Sequence, residues 1–281
     1  MASMYMDSMF GRRFRLWAMQ SDLERLVAAL PAGLLPGGWL MASAEEGGPV
    51  RYWLSDNAGE ADLWVRLHAA HPRTGLWPVA LHGLEGDLDR PWVQGEVYPA
   101  GISDPADHNA EEVLARRWPE IDPDEYPDDQ AERIAALAPF STWPGLAPSR
   151  EIAPGAAAAM ADDYARTLLT GEPRLGLVAT PRGADALTTV GWSGPVNHTE
   201  VGPLAAVVRS WEDRFGARVV GIGFDTLELS VAAPPTSIKP ALLVAAEHLA
   251  FCPDNIWQGI GHLGDYAELL IGMNSWTFWW D

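Results

Sequence analysis

The chain of 281 residues is 48% hydrophobic and 20% charged, with a formal net charge of -19. Its length allows one large domain or two smaller ones, and its composition is typical of a folded globular protein. Because so acidic a surface repels phosphate backbones and anionic lipids, we expect that it binds neither nucleic acid nor membrane.

The chain has a single cysteine, Cys252, which restricts the disulfides and the metal sites that it can form. One thiol can form neither an intramolecular disulfide nor a zinc site built from several cysteines. The sequence has no stretch of about 18 consecutive apolar residues, so no membrane span is predicted. We therefore expect a cytoplasmic protein.

The first elements in chain order predict an N-terminal α+β region at 21–98, preceded by a flexible N-terminus at 1–20. A helix begins at Ser21, whose hydroxyl forms a capping box with the carboxylate of Glu24. The elements that follow are a strand at 50–54, a helix at 62–70 and a strand at 76–81. Pro78 lies inside the second strand and has no N–H group, which predicts an edge strand or a bulge.

Residues 99–150 are predicted to be an acidic, proline-rich connector. Eleven acids and only three arginines lie between Asp104 and Arg133, and two short helices are expected there. Four of the acids resemble a calcium loop in charge alone, because prolines interrupt them and the required glycine is absent. We assign these four to contact with a partner: Asp122, Asp124, Asp128 and Asp129.

A connecting helix at 151–173 leads to a C-terminal domain at 174–281. One helix face is predicted by apolar residues that recur three or four positions apart, namely Val201, Leu204, Val208, Trp211 and Phe215. The other elements are helices at 238–252 and 265–270 and strands at 175–179, 218–222, 227–231 and 276–280. The last strand is expected to be nearly fully buried. The fold class is α+β, with a small mixed sheet packed by amphipathic helices in this domain.

Several separated sequence blocks in this domain carry a family resemblance. They are WEDRFGA at 211–217, FDTL at 224–227, AEH at 246–248, FCPDN at 251–255, WQG at 257–259, YA at 266–267 and WTFWWD at 276–281. Together they resemble the bacterial family called domain of unknown function 4253, over about residues 174–281. The resemblance implies a bacterial C-terminal domain and no particular reaction or ligand.

One group of residues near the end of the chain has catalytic or metal-binding potential: Glu247, His248, Cys252, Asp254 and His262. His248 and Cys252 are four residues apart, a spacing at which an imidazole could hold a thiolate. However, Cys252 precedes a proline and falls on an apolar stripe, which favours a buried structural cysteine. Glu247 and His248 are adjacent ionisable residues on an apolar helix and must find partners or water.

The loop after this helix holds the candidates for ligand or partner contact: Asn255, Trp257 and Gln258. Their alternative role is to close the turn through bonds between side chains and backbone. The glycine spacing at 259–264 matches a dinucleotide-binding motif, but a helix precedes it where that motif needs a strand. A glycine-rich turn before a helix is therefore favoured. We expect no cofactor and no metal.

The sequence favours a non-enzymatic binding protein, immunity-like or regulatory, whose acidic N-terminal half meets a basic protein. Residues 1–173 hold 27 acids and 13 arginines, whereas residues 174–281 hold 11 acids and six cations. Opposite potentials steer protein association, and no catalytic motif is complete. The alternative is a hydrolase-like enzyme with a site around Glu247, His248, Cys252 and Asp254. A purely structural accessory protein is the third possibility.

Overall fold

A computed structural model describes residues 23–42, 50–94, 96–120 and 130–281. Its centre is one seven-stranded mixed sheet in the order β1-β2-β4-β3-β5-β6-β7. The strands are β1 (Gly38–Ala42), β2 (Val50–Ala58), β3 (Leu76–Leu81), β4 (Arg174–Ala179), β5 (Ala217–Ile222), β6 (Thr226–Val231) and β7 (Ser275–Trp279). Neighbouring strands are antiparallel except β3 and β5, which are parallel.

Helices cover both faces of the sheet, and the predicted α+β class is confirmed. They are α1 (23–28), α2 (Ala61–Thr74), α3 (Ala110–Arg117), α4 (Gln130–Ala136), α5 (Ala156–Leu168), α6 (Ala186–Val190), α7 (Val201–Phe215), α8 (Ile238–Phe251) and α9 (Leu263–Leu270). A π-helical segment, Asn255–Ile260, joins α8 to α9. Within the described residues, no helix has both the length and the apolar character that crossing a membrane requires.

Two apolar layers hold the sheet between the helices. On one face, α2 and α5 bury Trp64, Leu67 and Ala165 against β3 and β4. On the other face, α3 and α6 to α9 form the larger core, in which Trp211 and Phe215 of α7 are fully buried. The stripe predicted for α7 is thus confirmed. Burial of this apolar surface is the main favourable contribution to folding.

Strand β3 lies in the middle of the sheet, so the expectation of an edge position at Pro78 is wrong. The reason is that β3 pairs with β5 only through its last two residues, Ala80 and Leu81. The ladder to β5 has not begun at Pro78. The N–H group that proline lacks is therefore not needed as a donor to β5. The indole N–H of Trp77 donates to the carbonyl of Val219 instead, at 3.0 Å.

The sheet does not follow the division into an N-terminal region and a C-terminal domain. Strand β4 belongs to residues 174–281, yet both of its neighbours, β2 and β3, precede residue 99. The connector also contributes to the larger core, where Val113, Leu114 and Trp118 are buried. The two regions therefore share one sheet and both of its apolar layers.

Strand β7 is the edge strand at one end of the sheet. Trp276 and Phe278 are buried as expected, but Thr277 between them is exposed. The expectation of nearly complete burial is therefore wrong for this strand, because helices cover only one of its faces. Alternation along a strand places neighbouring side chains on opposite faces.

Candidate functional site

The predicted catalytic residues lie where the end of α8 and the π-helical segment meet β7. Glu247 and His248 are in the last turns of α8, and Cys252 is the residue that ends the helix. Asp254 precedes the π-helical segment. These four side chains are all buried, with at most 5% of the residue surface exposed. They are close to one another in the chain, and the structure places this part of the chain at the larger core.

Glu247 forms a buried ion pair with Arg214 of α7. The guanidinium Nη1 donates to Oε1 at 2.9 Å, and Nη2 donates to Oε2 at 2.5 Å. The backbone N–H of Ala147 and the indole N–H of Trp211 each donate to the same carboxylate at 2.7 Å. Four donors thus satisfy the two oxygens, as a buried charge requires.

Arg214 extends this network to the connector. Its Nη1 also donates to the carbonyl of Ala147 at 2.8 Å, and its Nε donates to the hydroxyl of Ser210 at 2.9 Å. The ion pair therefore ties together α7, α8 and the segment before α5. The polar atoms of Glu247 and Arg214 make their hydrogen bonds to other groups of the protein, which is typical of a structural ion pair.

His248 is enclosed by aromatic rings. Its ring centroid lies 4.6 Å from that of Trp276 and 4.8 Å from that of Phe278, and Nδ1 is 3.0 Å from the hydroxyl of Tyr266. Among the described residues, Nε2 has no hydrogen-bond partner. Burial, assisted by the positive charge of Arg214, lowers the pKa of His248 to about 3. The imidazole is neutral at physiological pH and is a weak base.

Cys252 is a buried thiol with acceptors on two sides. Its Sγ donates to the carbonyl of Trp279 at 2.9 Å and lies 3.4 Å from Oδ1 of Asn255. Burial raises the pKa of this thiol to about 12. The group is protonated at physiological pH, so it is not an activated nucleophile.

We expect that replacing Cys252 by Ala lowers the free energy of unfolding by about 1 kcal/mol or somewhat more, because it leaves a small cavity. We also expect slow alkylation of the native thiol by iodoacetamide and rapid alkylation in urea, measured by mass spectrometry. Rapid labelling of the folded protein at neutral pH would contradict the structural role.

Asn255 acts on the free edge of β7. Its Nδ2 donates to the carbonyl of Thr277 at 2.7 Å, and the N–H of Trp279 donates to its Oδ1 at 3.2 Å. Asp254 accepts from the Gln258 side chain and from the N–H of Asp281, each at 3.1 Å. These bonds correspond to the alternative, structural reading of the loop.

The remaining residues of the loop are nearer the surface. Gln258 and His262 are exposed, and Trp257 is half-buried, with the guanidinium carbon of Arg133 5.6 Å from its ring centroid. Gly261, at the end of the π-helical segment, has a φ of +87°, and α9 begins at Leu263. The glycine-rich turn before a helix is therefore confirmed. In the described part of the chain, no three His, Cys, Asp or Glu side chains are grouped to hold a metal ion.

The connector places exposed carboxylates on α3 and on the turns beside it. We call this surface the acidic face, and its members are Asp104, Asp107, Glu111, Glu112 and Glu120. The N-terminus of α3 is capped by Asn109, whose Oδ1 accepts from the N–H groups of residues 111 and 112. The other acids assigned to partner contact, Asp122, Asp124, Asp128 and Asp129, lie outside the described residues.

Arg117 does not offset this charge at the surface, because its guanidinium is turned toward the end of α8. Its Nε donates to the carbonyl of Ala250 at 2.9 Å, and its Nη2 donates to that of Phe251 at 3.3 Å. Burial lowers the pKa of Arg117. Of the cations on α3, Arg116 alone is exposed. The acidic face is therefore strongly negative toward solvent.

An open groove of about 420 Å³ separates the acidic face from α7. Glu111 lines one wall, and Arg182 and Asp213 line the other. Arg182 donates to Asp213 at 2.7 Å, and Arg209, also in the lining, donates to buried Asp185 at 2.5 Å. Because the arginines are paired with acids of the chain, the groove does not form a basic site.

The comparison with protein families then adds one finding. Residues 174–281 match the model of DUF4253, a domain of unknown function. The resemblance carried by the sequence blocks is thus confirmed. The comparisons with curated proteins and with solved structures found no match.

The DUF4253 region contains the whole Glu247 network except Ala147, and the acidic face lies outside it. Arg117 joins the helix of the acidic face to the DUF4253 region, because it binds the end of α8. Sequence reasoning missed Arg117 and Arg214 as key residues, because their partners are over 30 residues away in the chain. Arg214 lies on the helix that the apolar stripe predicts, whereas Arg117 lies in the predicted connector, where the sequence indicated no buried contact.

Proposed function

We propose that the protein is a binding protein that recognises a basic protein surface through its acidic face. The observation that carries the proposal is the excess of carboxylates at this surface: the five carboxylates of the acidic face are exposed beside one exposed cation of α3, Arg116, while Arg117 is bound to backbone carbonyls of α8. Neighbouring like charges at a surface attract an oppositely charged partner and increase the rate of encounter.

The chemistry of the DUF4253 region supports a binding role over the hydrolase-like alternative. A general base works best with a pKa near the operating pH, and the pKa of His248 is lowered to about 3. A nucleophilic thiol needs a lowered pKa, and that of Cys252 is raised to about 12. The Glu247 carboxylate is already occupied by four donors.

The test compares two variants of equal charge. In the acidic-face variant, Asp107→Asn, Glu111→Gln, Glu112→Gln and Glu120→Gln remove four exposed charges. Asp104 is kept because its Oδ1 accepts from the N–H of Ala106. In the control variant, Glu151→Gln, Asp163→Asn, Asp265→Asn and Glu268→Gln remove four exposed charges elsewhere.

We expect the free energy of unfolding of each variant to lie within about 1–2 kcal/mol of that of the wild type, because exposed charges contribute little to stability. Full-length tagged protein is used to capture partners from a bacterial extract, and captured proteins are identified by mass spectrometry. A basic protein retained by the wild type and the control variant, but lost with the acidic-face variant, supports the proposal. Equal capture by both variants contradicts it.

A further inference from the structure

The two edges of the sheet are treated differently by the sequence. At the β7 edge, the outward-facing carbonyl of Thr277 and N–H of Trp279 are bonded to the side-chain amide of Asn255. The carbonyl of Trp279 also accepts from the thiol of Cys252. Side chains thus occupy the positions that an eighth strand would take beyond β7. Proteins commonly protect an edge in such ways against pairing with other chains.

Within the described residues, no side chain is bonded to the outward-facing groups of β1, and the one irregularity of its ladder is a register shift between Met41 and Ala42. β1 has the sequence GWLMA, which contains no charge and no proline, and β2 is its one neighbour in the sheet among the residues that the structure describes. Trp39 is 65% exposed and Leu40 is 42% exposed. An uncharged, apolar and unpaired edge is a surface on which another strand can add.

The ladder between β1 and β2 identifies the outward-facing groups. Gly38 lies opposite Ser55, and the N–H of Asp56 donates to the carbonyl of Gly37 at 2.8 Å. In an antiparallel pair, residues bonded across the ladder alternate with residues that face away. Trp39 is therefore bonded to β2, and the N–H and carbonyl groups of Gly38 and Leu40 point outward.

We propose that β1 accepts an extended segment of a basic partner protein as an additional strand of the sheet. Main-chain hydrogen bonds from Leu40 provide affinity, and alternate side chains of the segment lie beside Trp39 on one face and Leu40 on the other. Charge complementarity selects the occupant, because the net charge of -19 repels a second copy of the chain and attracts a cationic segment.

This inference shares its charge argument with the proposed function but uses a different surface, so each can fail without the other. The probe is an acetylated, amidated ten-residue peptide of alternating lysine and valine, and alternating glutamate and valine is its control. Leu40→Pro removes one outward N–H group and leaves the bonds to β2 in place. Trp39→Lys places a positive charge at the edge, and Val196→Lys places one at another exposed apolar residue.

We expect the lysine peptide to bind the full chain and to slow hydrogen exchange of the Leu40 amide by about tenfold or more. We expect Leu40→Pro and Trp39→Lys each to weaken binding by about tenfold, and Val196→Lys to leave it within about twofold. Thermal unfolding checks that each variant is folded. If Leu40→Pro does not fold, the peptide affinity of Trp39→Lys relative to Val196→Lys tests the inference.

Four results would overturn the inference. The first is absence of peptide binding, and the second is binding that Trp39→Lys does not weaken more than Val196→Lys. The third is a Leu40 amide already protected in the free chain, which would mean that the edge is occupied by the chain itself. The fourth is a dimer in sedimentation that Leu40→Pro dissociates, because the occupant would then be a second copy.

Discussion

Replacing Glu247 by Ala is expected to lower the free energy of unfolding by about 3–5 kcal/mol, because Arg214 is then left buried without its counter-ion. Arg214→Met is expected to cost a similar amount, since it leaves the carboxylate unpaired and also removes the bond to Ala147. Urea unfolding followed by tryptophan fluorescence measures each change.

The double variant Glu247→Ala with Arg214→Met separates the charge pair from general packing. Removing both charges leaves no unpaired ion, so the double variant is expected to be more stable than the sum of the single changes implies. The exposed pair Arg166 and Asp163 is the control, and Asp163→Ala should change stability by at most about 1 kcal/mol. A Glu247→Ala protein as stable as the Asp163→Ala protein would refute the structural role of this network.

The fragment 174–281 is expected not to fold by itself, although the sequence predicts that it is a domain. It contains the whole match to DUF4253, but both neighbours of β4 are missing, and β5 loses β3. We expect the isolated fragment to lack near-ultraviolet circular dichroism and cooperative unfolding. Sheet residues without ladder partners also leave backbone groups unpaired.

A complementation experiment provides the control for this prediction. Coexpression of residues 1–173 with residues 174–281 as separate chains is expected to restore the near-ultraviolet signal, because β2 and β3 can then flank β4. A fragment 174–281 that is soluble alone and unfolds cooperatively would contradict the shared core.

The local elements could be predicted from the sequence, and their pairing could not. The stripe that predicted α7 arises from contacts three and four residues apart, which a linear pattern contains. The position of β3 depends on pairing with β4 and β5, which are about 100 or more residues away in the chain. Pro78 indicated an edge strand because local rules do not anticipate a central strand whose ladder to one neighbour, β5, begins two residues after the proline.

Strand β1 escaped prediction for a related reason. Its residues are apolar without alternation, and Trp39 and Leu40 are both exposed, so no buried face appears in the pattern. Of the candidate catalytic residues Glu247, His248, Cys252 and Asp254, the sequence predicted that Cys252 is buried, and this burial is confirmed. Their bonding to Arg214, Tyr266 and β7 depends on three-dimensional packing, which no spacing rule contains.

The most direct test of the binding account is the association rate of a captured basic partner, measured by stopped-flow fluorescence with the wild type, the acidic-face variant and the control variant. At 0.1 M salt, we predict association about tenfold slower for the acidic-face variant than for the control variant. At 1 M salt, the Debye length falls from about 10 Å to about 3 Å, and the rates should converge. Equal rates for the two variants at low salt would contradict the account.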